Sequence, residues 1–80
     1  MEPQAEQNRE LTFGEKAVGL NFNSGGNEKV NKLKELAAQM IDLVENDGPS
    51  DQFGVKLHED AIMQLVHAQM SAVKSVTWHS

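Results

Sequence analysis

Two stretches of this chain repeat apolar residues every three or four positions, and together they carry more apolar surface than two helices can hide by facing each other. In the first, Val30, Leu33, Ala37, Met40, Ile41 and Val44 fall on one helical face, and Leu36 and Leu43 widen the stripe. In the second, Leu57, Ala61, Ile62, Leu65, Val66, Ala68, Met70, Val73 and Val76 cover well over one face. Small residues there (Ala61, Ala68, Ser71, Ala72, Ser75) permit close helix approach. Burial is worth about 25 cal/mol per Å² of apolar area, so the surplus is costly to leave in water. The pattern predicts an all-α fold, a short N-terminal helix plus an antiparallel hairpin of two long helices, assembled as a homo-oligomer of closed symmetry. A monomeric three-helix mini-bundle is the alternative.

Local signals mark where these helices start and stop. Thr12 precedes Glu15 by three, a capping-box spacing, with Leu11 just before the cap. A short helix is expected over residues 13–18, stopped by Gly19. Leu20, Asn21 and Phe22 read as extended, and Asn23 to Gly26 as a loop. Asn27 can cap the first long helix, and Glu28 suits its positive end. Asn46-Asp47-Gly48-Pro49 ends it, with glycine as the expected left-handed cap and proline unable to continue. After a linker through Gly54, the second long helix is expected from about Lys56 to Thr77. Residues 1–10 read as a flexible tail and residues 11–80 as one helical domain.

Composition narrows the function. Eighty residues without a cysteine cannot be stapled by disulfides or hold a thiolate metal site. No apolar run approaches a membrane span, and the polar Met1–Glu10 stretch does not read as a signal peptide, so a soluble intracellular protein without a membrane partner is expected. The net charge of −5 argues against a partner that is a DNA or RNA polymer. Between Phe13 and Lys34, however, four lysines (Lys16, Lys29, Lys32, Lys34) face two glutamates (Glu15, Glu28), a local balance of +2. Such a zone suits a compact anion; it also fits an ordinary solvated helix face.

Nothing in the chain reads as catalytic. There is no serine or cysteine nucleophile in a recognisable setting and no Walker loop or zincin motif. His58 and His67 are nine residues apart, about 180° around one helix, and cannot share a metal. These two, and His79 in the fraying end, read as surface or interface residues. Asp42, Glu45, Glu59 and Asp60 read as solvated helix charges. No enzyme activity, metal or cofactor is expected. The segment Phe22-Asn23-Ser24-Gly25-Gly26-Asn27 carries more chemistry: glycines allow close backbone approach, and free N–H groups at a helix start favour phosphate. Phe22 could stack on a base, with Lys32 and Lys34 adding charge. The same segment also fits a plain turn and cap with Phe22 in the core. Trp78 reads as a packing anchor or, less simply, as a stacking surface.

Two stretches carry a resemblance to a known family. The run GEKAVGLNFNSGG (Gly14 to Gly26), followed by VNKLKELAAQMIDLV, resembles phage-encoded sponge proteins of the anti-CBASS/anti-Thoeris family, and AQMSAVKSVTW (Ala68 to Trp78) is similar to that family's closing helix. The resemblance implies a protein of the host bacterial cytoplasm that binds cyclic nucleotide messengers without cleaving them, so that the CBASS effector is never switched on. It implies helical hairpins assembled as hexamers, with cyclic dinucleotides between pairs of subunits and cyclic trinucleotides in separate pockets near the threefold axis. Some relatives sequester cyclic ADP-ribose variants instead. By position, Phe22 matches the aromatic that stacks on a base, and Asn23, Ser24 and Gly25 match the loop lining that pocket. Lys34, or else Lys32, matches the basic residue that contacts phosphate, and Lys56 or His58 the one serving the trinucleotide pocket. Members often carry proline before the Ser-Gly of the loop, where Asn23 stands here, and tryptophan where Ser71 stands. Two other functions fit the composition: a helical adaptor that docks a host protein, and a helix-turn-helix, which here lacks a basic recognition helix.

Overall fold

The computed structural model describes residues 10–22 and 26–78. Its regular structure is all helical: α1, Phe13–Ala17; α2, Glu28–Glu45; and α3, Gln52–Val76. The expected tail (all but Glu10), the loop residues Asn23, Ser24 and Gly25, and His79 lie outside the described residues.

Thr12 caps α1 as its spacing from Glu15 predicts. The Glu15 N–H donates to Thr12 Oγ1 at 3.1 Å, and the Thr12 N–H donates to the Glu15 carboxylate at 2.9 Å, so two orphan donors are met reciprocally. The helix closes in a Schellman motif, with the Leu20 N–H on Glu15 O at 3.0 Å and the Gly19 N–H on Lys16 O at 3.1 Å. Gly19 takes φ +64°, which a side chain would strain. This close corrects the extended reading of residues 20–22. Residues 18–21 form a turn, and the Phe22 N–H comes back to Gly19 O at 2.8 Å. Curling back gives these backbone donors partners that an isolated extended segment could not supply.

Asn27 caps α2 through Oδ1, which accepts from the N–H groups of Lys29 and Val30 at 2.8 and 3.1 Å. The far end differs from expectation. Gly48 is not left-handed; among the described residues only Gly19 and Gly26 are, and α2 closes at Asn46 in the right-handed region with φ −82°. The second long helix also begins four residues before Lys56. Asp51 caps it, taking the Gly54 N–H at 2.7 Å. What read as linker is a first helical turn, where a glycine is tolerated because its amide is the capped donor.

Helix α2 packs against both other helices. The pairing with α3 is antiparallel: Leu43 and Val44 stand beside Leu57 and Ala61 near the connection, and Lys34 stands beside Val66, Gln69 and Val73 further out. The buried core is small: Val18, Ala37, Ala38 and the fully enclosed Ile41 cluster together, with Leu20, Ile62, Leu65 and Val66 packed around them, and Val30 is buried apart from this cluster. The molecule measures 42 × 41 × 12 Å, so its thin dimension is about one helix diameter. Its radius of gyration of 14.6 Å exceeds the about 11–12 Å of a compact chain of this length. Leu36, Met40 and Leu43, one turn apart on α2, remain about half exposed or more, and so do Phe53 and Leu57 on α3. Leu36 and Met40 each lie two residues from Ala38, about 160° around the helix from the side that α1 covers.

That close approach of α1 depends on Gly14. A Cβ there would collide with the Ala38 carbonyl oxygen, and the Gly14 N–H donates to Asp42 Oδ1 at 2.7 Å. Asp42 is therefore a half-buried acceptor tying α1 to α2, not the solvated charge its sequence context suggests. Gly14→Ala should lower stability by about 1–3 kcal/mol. Asp42→Ala, which strips the acceptor from a buried amide, should cost a similar amount. Urea denaturation followed by circular dichroism measures both.

Candidate functional site

Two hollows flank the turn that leaves α1, and their charges differ. One is an open groove of about 440 Å³ between that turn and α3, lined by Lys16, Phe22 and Lys34 with Val66, Gln69, Met70 and Val73. It carries two cations, one aromatic ring and no acidic residue among the described lining. The other hollow contains Lys32, but Glu28 and Glu35 line it too, leaving the balance negative. An anion gains far less there.

Lys34 forms the floor of the first groove. The residue is only 8% exposed, and Nζ donates to Gly19 O at 3.0 Å and Phe22 O at 2.6 Å. The ammonium therefore sits where the last carbonyls of the α1 turn concentrate partial negative charge. These contacts take two of its three donors, and among the described residues no carboxylate pairs with it. A buried cation met by dipoles but by no counter-charge is an electrostatic host for an anion.

The same clasp positions Phe22. Its backbone is held by Gly19 at the N–H and by Lys34 at the carbonyl. One ring edge lies over Gly19, in the space a Cβ at that position would need. The remainder of the ring is free, and the residue is 82% exposed. Phe22 is thus an aromatic surface presented to solvent beside two lysines, not a core residue.

The other sequence candidates are dispersed. Lys56 is exposed on the first turns of α3, away from the groove. His58 is committed within the protein: Nδ1 lies 2.7 Å from Gly54 O and Nε2 lies 2.8 Å from Asp47 Oδ2. Both partners only accept, so both ring nitrogens donate and the imidazolium is the favoured form. The hydrogen bond to Asp47, then that to Gly54, raises its pKa above the ordinary 6.5. Trp78 is largely exposed, with Lys74 Nζ 6.0 Å from its ring centre.

Two groove residues were not singled out in the sequence. Lys16 reads there as one charge among several, and only the turn brings it beside Phe22. Gln69 left a clearer signal, a polar residue standing seven after Ile62 and three after Val66 on the apolar stripe of α3. It is 7% exposed, and its Oε1 has no hydrogen-bond partner.

No protein-family model, characterised protein or solved structure matches the chain.

The His58 geometry gives a pH dependence. A folded-state pKa raised above 6.5 contributes stability that is fully present below pH 6.5 and is lost as pH rises through the folded value. The difference in denaturation midpoint between wild type and Asp47→Ala should be largest below pH 6.5 and shrink at higher pH. Imidazole proton NMR should report the raised value directly.

Proposed function

We propose that this protein binds and sequesters cyclic oligonucleotide second messengers without cleaving them, in the manner of the phage sponge proteins that its sequence resembles. The observation that carries the reading is the Phe22 groove: an exposed ring beside Lys16 and the unpaired cation of Lys34, with no acidic residue among the described lining. A cyclic dinucleotide combines what such a groove can hold, since a base offers a flat face for the ring and its phosphates offer negative charge. Base–aromatic stacking is worth about 1–3 kcal/mol.

Self-association belongs to the same reading. An open groove covers one side of a ligand, and a second copy would supply the other wall; further copies of a closed assembly would cover the exposed Leu36 and Met40 on the opposite side of α2. We take the assembly to be a hexamer on the strength of the resemblance, and the setting to be a bacterial host cell where the bound messenger no longer reaches the CBASS effector. Dinucleotides are the favoured ligands. Of the two alternatives for the trinucleotide pocket, Lys56 or His58, His58 is the less apt, because it spends both donors on Gly54 and Asp47.

The exposed stripe on α2 favours one other reading, a helical adaptor that docks a host protein. Native mass spectrometry with cyclic dinucleotides, cyclic trinucleotides and cyclic ADP-ribose variants separates the two. A sponge should give a defined oligomer carrying intact ligand; an adaptor should bind none of the panel. Phe22→Ala should weaken dinucleotide binding about tenfold or more, by the loss of stacking, and leave the oligomer intact. Unchanged affinity in titration calorimetry would remove Phe22 from the site.

A further inference from the structure

The groove contains one polar group that the protein itself leaves unmatched. Gln69 stands among Val66, Met70 and Val73 on the α3 wall, opposite Lys34 and Phe22. Its Nε2 makes a single hydrogen bond, at the long distance of 3.3 Å, to Val66 O. Its Oε1 is buried and accepts none. A buried amide oxygen without a donor destabilises the free protein, and a methionine of similar shape would avoid that penalty. The terminal amide torsion is soft and roughly two-fold, and the long Val66 contact is the only hydrogen bond that holds it. The oxygen can therefore turn into the groove at little cost.

We infer that Gln69 is a specificity-determining residue of this groove, its amide oxygen accepting a hydrogen bond from the exocyclic amino group of a purine base bound there. This deepens the sponge reading and rests on it. An exocyclic amino group offers N–H donors at the base edge, which is what an unmatched amide oxygen requires. Phe22 and the two lysines favour any base and any phosphate alike; Gln69 adds discrimination. A site built to hydrogen-bond a ligand group rejects the analogue lacking it, since the protein's own polar atom is then left unpaired.

The test uses the full chain, wild type and Gln69→Met, in titration calorimetry. The probes are cyclic di-adenylate and cyclic di-guanylate, each paired with the analogue lacking the amino group (purine and hypoxanthine dinucleotides). Wild type should prefer an amino-bearing ligand about tenfold, and Gln69→Met should abolish that preference. The unliganded variant should melt at or above the wild-type temperature. A preference that survives in Gln69→Met, or is absent from wild type, overturns the role of Gln69 and leaves sequestration standing. Dissociation of the variant's oligomer overturns it too, by assigning the oxygen to a neighbouring subunit. If wild type binds no cyclic nucleotide, the sponge reading falls and takes this inference with it.

Discussion

The clasp of Lys34 on the carbonyls of Gly19 and Phe22 is the contact on which the rest of the groove depends. Without it, the turn after α1 would be held mainly by its own backbone bonds, and Phe22 would have no fixed place relative to α3. The clasp also explains how a lysine can be nearly enclosed. Two carbonyls of the turn after α1, those of Gly19 and Phe22, point at it, and their dipoles replace part of the solvation that the ammonium loses. Only net charge is left uncompensated. One side chain thus joins folding to electrostatics: it closes the turn and makes the groove positive.

Much of this architecture can be read directly from residues. Thr12 with Glu15, Gly19 and Asn27 each carry their capping chemistry in a few neighbouring positions, and apolar periodicity identifies both long helices. The misreadings occur where long-range contacts decide. Gly14 looks like an ordinary helix residue until α1 is laid across Ala38, and Asp42 looks solvated until it meets the Gly14 amide. Residues 20–22 have no local signal strong enough to predict a turn, because the lysine that pins it is twelve positions away. Reading a linker through Gly54 passes over Asp51, three residues earlier, whose carboxylate caps α3 through the Gly54 N–H.

The candidate site was legible in part. Phe22 and Lys34 stand together in the groove, while Lys32, Lys56 and His58 each face elsewhere. Charge counting along the sequence cannot separate Lys34 from Lys32. They are two residues apart, about 160° around the helix, and only one of those directions faces α1. His58 illustrates the converse limit. A basic residue near a helix start attracts a ligand-binding interpretation, yet its chemistry is absorbed by a turn carboxylate eleven residues earlier.

The 12 Å thickness of the molecule has a thermodynamic consequence. Heat-capacity change on unfolding follows the apolar area withdrawn from water, and a slab with one fully enclosed large side chain among the described residues, Ile41, withdraws little. The stability curve of a single chain is accordingly shallow, with a broad thermal transition and weak curvature. Against such a background, any contact that covers Leu36, Met40 and Leu43 would dominate the calorimetric signal.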